Sequence, residues 1–89
     1  MTFSSPKVTV LMPVYNAKLF LDEAISSILE QTFKDFEFII IDDGSTDSSP
    51  EIIKEWSEND NRIRLYSQSN QGIVHALNSG IRHARGKYI

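Results

Sequence analysis

The chain has 89 residues, enough for one domain with a modest core, and its 40% hydrophobic and 24% charged residues are typical of an ordered globular protein. A net charge of −3 excludes the basic surface that nucleic-acid binding requires, and the lack of cysteine excludes disulfides and thiolate metal sites. The apolar run at residues 8–12 is too short to span a membrane or to form the core of a signal peptide.

The first half of the chain predicts a strand, a helix and a second strand. Residues 8–12 are rich in β-branched side chains and predict a strand, and residues 13–16 are predicted to be the turn that leaves it. Residues 36–41 are apolar without alternation, which indicates a strand covered on both faces. Between the strands, spacings of three and four predict a helix whose apolar face carries Phe20, Leu21, Ala24, Ile25, Ile28 and Leu29.

The second half continues this alternation. A helix is predicted to begin near Ser48, because Ser48 and Glu51 form a capping-box pattern and Pro50 suits a first helical turn. Residues 63–66 alternate and predict a third strand. A third helix follows, with a predicted apolar stripe of Ile73, Ala76, Leu77, Gly80, Ile81 and Ala84.

The order of elements predicts an α/β fold with a Rossmann-like parallel sheet. Residues 87–89 look like the opening of a fourth strand, which gives the order βαβαβα-β. Ligands of such sheets bind outside the carboxyl ends of the strands. Three loops, 13–18, 42–48 and 68–72, are therefore the places to search for function.

The acidic turn that follows the second strand is the most informative stretch. Burying Asp42 and Asp43 at the end of a strand costs free energy unless their carboxylates are hydrogen-bonded or bind a ligand. A carboxylate at this place can accept a hydrogen bond from the ring N–H of a base or from ribose hydroxyls. Gly44 permits a tight turn. For residues 45–47, turn formation and capping of the next helix is the favoured interpretation.

The other two loops give weaker signals. Tyr15 can stack on a base and Asn16 can bridge backbone or ligand, but on spacing alone a loop tyrosine packed on the sheet edge is favoured. Ser69 or Asn70 suits an N-cap of the third helix, and Gly72 would let a phosphate approach the helix N-terminus. An ordinary N-cap explains that segment equally well.

Several further residues predict structure rather than chemistry. His75 and His83 lie eight residues apart, not the three or four of a helical metal pair, so both are expected to face solvent. Trp56 continues an apolar stripe and is expected in the core or partly buried. The glycine fingerprint of dinucleotide-binding folds and the P-loop motif are both absent from the sequence.

Four segments, each weak alone, become specific when they occur in order at these spacings. They are residues 8–16, 24–32 and 36–47, followed by 70–72 together with 76–81 and 84–89. In this arrangement the chain resembles family 2 glycosyltransferases, the inverting nucleotide-sugar transferases with a GT-A fold, over nearly its whole length. The resemblance implies that residues 1–89 are a single partial domain, the N-terminal, nucleotide-sugar-binding half of that fold.

The resemblance implies roles for matching positions. Tyr15 would lie against the base, and Asp43 resembles the aspartate that accepts a hydrogen bond from a uracil-type ring nitrogen. Asp42 resembles its neighbour and ranks second, while residues 70–78 resemble the part that closes over the nucleotide and donor. The nucleotide-binding residues implied by the resemblance are Pro13, Val14, Tyr15, Asp42, Asp43, Asn70 and Gly72.

The resemblance also implies chemistry beyond these residues. Family members continue past the counterpart of Ile89 into a D-x-D-type motif that holds Mn²⁺ or Mg²⁺ on the donor pyrophosphate, and then to the carboxylate that deprotonates the acceptor. The chain is therefore interpreted as truncated before that motif, with no catalytic residue or metal ligand of its own. Alone, it is expected to transfer little or no sugar.

The implied partners are a nucleotide sugar, with a UDP-sugar first, and a saccharide or lipid-linked acceptor. No nucleic-acid partner is expected, and no membrane span is expected in the chain. The expected location is the cytoplasm, and the inner face of the membrane is the alternative location for the parent enzyme. Self-association through apolar surface exposed by truncation is a further expectation.

Two other readings of the sequence stay open. The chain could be a noncatalytic nucleotide-binding or interaction module. A receiver-like signalling domain is also parallel α/β with paired acids, but it carries them after the first strand, whereas this chain carries them after the second.

Overall fold

Three strands and three helices alternate along the part of the chain that the computed structural model describes, residues 8–31 and 34–86. The strands form one parallel sheet in the order β1-β2-β3, which confirms the predicted α/β class and the βαβαβα order. The predicted fourth strand at 87–89 lies outside the described residues. The elements are β1 (Val8–Val14), α1 (Lys18–Leu29), β2 (Phe36–Asp43), α2 (Ser49–Asn59), β3 (Ile63–Gln68) and α3 (Ile73–His83).

The strands run further than the sequence predicted. Pro13 and Val14 were predicted to be in a turn, but they belong to β1, where Pro13 pairs with Ile41 and Val14 with Asp42. The turn prediction was wrong because strand pairing overrides the turn preference of proline, which an edge strand tolerates. Among the described strands β1 has a neighbour on one side only.

The core lies on both faces of β2. Every residue of β2 is buried, as the unbroken apolar run predicted. Because side chains alternate along a strand, Phe38 and Ile40 pack with α1 and α2, whereas Ile39 and Ile41 pack with α3. The result is a three-layer arrangement with the sheet in the middle.

Some residues of the predicted apolar stripes are exposed. Phe20 is 68% exposed because successive helical residues are rotated by about 100°, and the buried line of α1 runs through Leu21 and Ile25. Ile73 and Ile81 of α3 are also more than half exposed. The α3 face that meets the sheet is narrow and is formed by small residues: Ala76, Ser79 and Gly80.

Of the two predicted helix caps, Ser48 does occupy the N-cap position of α2, whereas the cap predicted for α3 at Ser69 or Asn70 was wrong. Ser48 precedes α2 but its side chain makes no capping bond, and the Oδ1 atom of Asp47 instead accepts from the N–H of Ser49 at 2.9 Å. The residue before α3 is Gly72, with φ of 97°, rather than Ser69 or Asn70. Pro50 does lie in the first turn of α2, as predicted.

Trp56, His75 and His83 lie where their sequence positions predict. Trp56 is partly buried and donates from Nε1 to Asp22 at 2.7 Å, which confirms its packing role. His75 and His83 are exposed as predicted, and the ring of His83 stacks on Tyr66 with centroids 3.8 Å apart.

No helix in the described ranges combines the length and apolar character needed to cross a bilayer. Self-association stays a prediction. The exposed apolar side chains available for it include Leu19, Phe20, Ile73, Val74 and Ile81.

A buried carboxylate, Glu37, ties the end of α3 to the sheet. Its oxygens accept from the Thr9 hydroxyl at 2.7 Å, from Arg64 Nη1 at 2.9 Å and from the N–H of Gly86 at 3.1 Å. Arg85 donates both its backbone N–H and its Nε. Burial would raise the pKa of Glu37, but the bonds from Thr9, Arg85 and Arg64 outweigh it and lower the pKa to about 2.

Because of Glu37, we expect the stability of the fold to decrease in acid. Because its folded pKa of about 2 lies below its ordinary value of 4.5, its contribution to the free energy of unfolding is complete above about pH 5 and is lost as the pH falls toward 2. That contribution is about 3 kcal/mol. Urea unfolding of the wild type and of Glu37→Gln, measured from pH 7 to pH 2, should show a lower and flatter profile for the variant. Glu30→Gln, at an exposed position, is the matched control; a wild-type profile equally flat would contradict the assignment.

Candidate functional site

The first two loops at the carboxyl ends of the strands are joined through Asn16. Its Oδ1 atom accepts from the N–H groups of Thr46 at 2.8 Å and Asp47 at 3.3 Å, and its own N–H donates to Ser45 Oγ at 2.9 Å. Asn16 has φ of 48°, a left-handed conformation that asparagine tolerates better than most residues. Residues 45–47 therefore form a turn locked to the β1–α1 loop, in agreement with the structural interpretation of their sequence.

The third loop wraps around the carboxylate of Asp43. Oδ1 accepts from Gln68 Nε2 at 2.8 Å and from the N–H of Gln71 at 2.9 Å, and Oδ2 accepts from the N–H of Gly72 at 3.0 Å. Asn70 Nδ2 donates to the Asp43 carbonyl at 3.0 Å and lies 3.5 Å from Oδ2. The end of β2 thus fixes the path of the chain from β3 into α3.

These donors keep Asp43 ionised. The side-chain bond from Gln68, followed by the N–H of Gln71, lowers the pKa of Asp43 below its ordinary value against the opposing effect of burial. An ionised carboxylate only accepts hydrogen bonds and has about four acceptor positions. Three of these positions have donors within 3.0 Å, and the fourth has only the long contact to Asn70.

Asp43 lies in the wall of a cavity of about 280 Å³ at this edge of the sheet. Tyr15 stands at the rim with 52% of its surface exposed. Six of the seven residues singled out from the sequence are brought together here, and Ile73 joins them. The lining residues are Pro13, Val14, Tyr15, Asp43, Asn70, Gly72 and Ile73.

Asp42 is the residue of that set that does not line the cavity. It follows Ile40 on the side of β2 that faces α1 and α2, since strand side chains alternate. Its Oδ2 atom accepts from the N–H of Ser45 at 3.3 Å and so helps to close the turn. Its Oδ1 atom is buried without a hydrogen-bond partner among the described residues.

Two residues of the site were missed by the sequence reasoning. Ile73 was assigned to the core stripe of α3, but it is the first residue of that helix and lies beside Gly72 at the cavity. Gln68 was included in a loop without a role. Only its register opposite Asp43 in the parallel ladder shows that the two side chains meet.

A larger cavity of about 460 Å³ lies between α1 and α2. Its lining residues are Asp22, Ile52, Glu55, Trp56 and Asn59. The three carboxyl-end loops contribute none of these residues, so this cavity belongs to the helical layer and not to the candidate site. Within residues 8–31 and 34–86 no three His, Cys, Asp or Glu side chains are grouped to hold a metal ion.

Residues 9–89 of the chain match the protein family described as "Glycosyl transferase family 2". Two relatives of similar sequence are glycosyltransferase GlyA of Streptococcus pneumoniae, 45% identical over 83 residues, and the uncharacterized glycosyltransferase EpsJ of Bacillus subtilis, 44% identical over 84 residues. The aligned parts cover 93% and 94% of this chain but only 12% and 24% of those proteins.

Solved structures show the same similarity. A mannosyltransferase from Pyrobaculum calidifontis, in complex with GDP-Man and Mn²⁺, superposes with a TM-score of 0.82 at 32% identity, over 91% of this chain and 25% of that one. TarS of S. aureus in complex with UDP gives a TM-score of 0.82 at 26% identity, over 93% and 26%. The chain therefore spans about a quarter or less of these four proteins.

Gly44 and Gly72 allow a matched test of how tightly the loops are packed. Both have positive φ, but a Cβ on Gly44 would lie 2.6 Å from the backbone N of Asn70, whereas a Cβ on Gly72 would meet nothing within 4 Å. Gly72→Ala should lower the free energy of unfolding by about 1–3 kcal/mol from backbone strain alone, because its φ of 97° and ψ of 163° lie in a region that is essentially restricted to glycine. Gly44→Ala should cost about 1–3 kcal/mol more and shift the amide resonances of residues 69–73. Equal costs in urea unfolding would show that the loops do not pack as described.

Proposed function

The chain belongs to glycosyl transferase family 2, and from this premise we propose that it carries the nucleotide-binding part of an enzyme that transfers a sugar from a nucleotide-sugar donor. The observation that supports this most directly is the cavity at the carboxyl ends of the strands. It combines an aromatic side chain at its rim, Tyr15, with an ionised and nearly buried carboxylate, Asp43, in its wall.

The chemistry of the cavity suits a nucleoside. The ring of Tyr15 supplies a face on which a base stacks, as aromatic side chains do in many nucleotide sites. Asp43 accepts a hydrogen bond from a ring N–H, and such a donor would replace the 3.5 Å contact with Asn70 while the three shorter bonds stay in place. Open space beside Gly72 admits the remainder of the donor.

An acceptor-only carboxylate also selects among bases. Uracil and guanine carry a ring N–H beside a carbonyl, whereas the corresponding nitrogens of cytosine and adenine are acceptors that a carboxylate repels. The solved relatives with UDP and with GDP-Man carry the two bases of the first kind. We therefore propose a UDP-sugar or GDP-sugar donor, with the UDP-sugar first.

The metal and the catalytic base are proposed to lie beyond the residues described here. The described residues do not fit a metal ion, because no three His, Cys, Asp or Glu side chains among them are grouped together and N–H donors take three of the four acceptor positions of Asp43. The Mn²⁺ in the mannosyltransferase complex supports Mn²⁺ or Mg²⁺ for the whole protein. Inversion at the sugar carbon and a saccharide or lipid-linked acceptor complete the proposal.

A nucleotide titration tests the proposed function. UDP, GDP, CDP and ADP are added separately to isotopically labelled protein, and amide shifts are followed by NMR. Shifts should concentrate at Tyr15, Asp43 and residues 70–73, and UDP or GDP should bind at least about tenfold more tightly than CDP or ADP. Asp43→Ala should abolish these shifts. The exposed Asp35→Ala is the control.

The outcomes of this titration separate the alternatives. Shifts confined to the cavity beside Trp56 would move the site to the helical layer. Equal binding of all four nucleotides would remove the base-reading role of Asp43. Binding without sugar transfer by the whole protein would favour a noncatalytic nucleotide-binding module.

Tyr15 provides a separate prediction. Tyr15→Ala should weaken nucleotide binding about tenfold, because base stacking contributes ~1–3 kcal/mol, whereas Tyr15→Phe keeps the ring and should bind as the wild type does. Isothermal titration calorimetry measures both. A loss in the phenylalanine variant as large as that in the alanine variant would assign the effect to the hydroxyl rather than to stacking.

A further inference from the structure

The side chains that hold Asp43 extend into a chain of hydrogen bonds that crosses to α3. Gln68 Nε2 donates to Asp43 Oδ1 at 2.8 Å, Ser79 Oγ donates to Gln68 Oε1 at 2.8 Å, and Arg82 Nη2 donates to Ser79 Oγ at 3.1 Å. We call Arg82, Ser79 and Gln68 the Gln68 relay. We propose that this relay positions the Asp43 carboxylate for reading the nucleotide base, with Gln68 as the positioning residue. The inference rests on the proposed function.

The direction of every bond in the relay follows from chemistry. A carboxylate only accepts, so the amide nitrogen of Gln68 must face Asp43 and its oxygen must face Ser79. A guanidinium only donates, so the Ser79 hydroxyl oxygen accepts from Arg82 and the Ser79 O–H donates to the Gln68 oxygen. Bonds aligned in one direction polarise one another. A side-chain amide meets the demands of both neighbours, because it donates at one end and accepts at the other.

The relay adds a constraint that the loop itself does not supply. The N–H groups of Gln71 and Gly72 also hold Asp43, but they belong to the segment that a nucleotide must approach. Gln68 instead comes from the end of β3, in register with Asp43. Ser79 is buried on the face of α3 that meets the sheet. Gln68 on the sheet and Ser79 on α3 therefore fix the plane of the Asp43 carboxylate.

Substitutions that break the Gln68 relay should weaken nucleotide binding without unfolding the protein. Gln68→Met has nearly the same shape but removes the donor, and Ser79→Ala frees the amide to turn. Each should weaken UDP or GDP binding about tenfold, the effect of one hydrogen bond to a charged group. Gln31→Met, at an exposed position where the side-chain amide donates to the Ser27 carbonyl and to no residue of the relay, is the control and should bind as the wild type does.

Gln68→Glu separates positioning from packing. At pH 8 the introduced carboxylate faces Asp43 as a like charge, and binding should be weaker than in Gln68→Met. As the pH falls the pair takes up one proton, the introduced carboxyl becomes a donor, and binding should recover toward the wild-type value. The side chains of His75 and Arg82 also lie near this pair, so the wild type is measured over the same pH range as the reference.

The decisive experiment measures UDP and GDP binding to the wild type and to these variants by calorimetry from pH 8 to pH 5, with urea unfolding to verify the fold. Weaker binding by Gln68→Met, together with recovery of Gln68→Glu at low pH, supports the relay. Wild-type affinity in Gln68→Met, or a Gln68→Glu defect that does not change with pH, overturns it.

A second measurement keeps the relay separate from the proposed function. If the wild type binds neither nucleotide, the proposed function fails, and the relay is then judged by the pKa of Asp43 measured by carbon NMR in the free protein. A higher Asp43 pKa in Gln68→Met supports the relay, and an unchanged pKa overturns it.

Discussion

The fold depends on hydrogen-bond donors for two carboxylates that are buried on the same side of β2, one at each end of the strand. Glu37 and Asp43 are 3% and 5% exposed, and between them Ile39 and Ile41 form the apolar contact with α3. A buried charge without donors is strongly destabilising. Several of those donors come from the segments at the two ends of α3, so the helix is held on the sheet by polar bonds at its two ends and by apolar packing in its middle.

The two carboxylates differ in what they leave available. The oxygens of Glu37 accept from β1, from β3 and from the segment after α3, in a closed cluster that includes two arginines. Asp43 is bonded mainly by the loop before α3 and by Gln68, and it borders a cavity. The same functional group, a carboxylate, therefore stabilises the fold at one end of β2 and keeps one acceptor position with only a long contact at the other.

The sequence predicted the order of elements and most of the cavity because those follow from short-range patterns. The unbroken apolar run of β2 and the acidic turn after it are local signals, and they led to Asp43. Asp42 could not be separated from Asp43 by composition, since the face that each side chain takes depends on where the strand ends. β2 continues through both residues, so alternation sends them to opposite faces. The role of Gln68 could not be predicted for a related reason, because its partners Asp43 and Ser79 lie 25 and 11 residues away in the sequence.

The bonds of Glu37 also predict an order of events during synthesis. Gly86 donates to Glu37 and to Thr9, and its bond to Thr9 joins groups separated by 77 residues. A ribosome releases the chain from its N-terminus, at about 5–20 residues per second. Until Arg85 and Gly86 emerge, Glu37 lacks three of the five donors that make its burial tolerable. Docking of β1 on β2 is therefore expected to remain reversible on the nascent chain and to become permanent only when the segment after α3 leaves the exit tunnel.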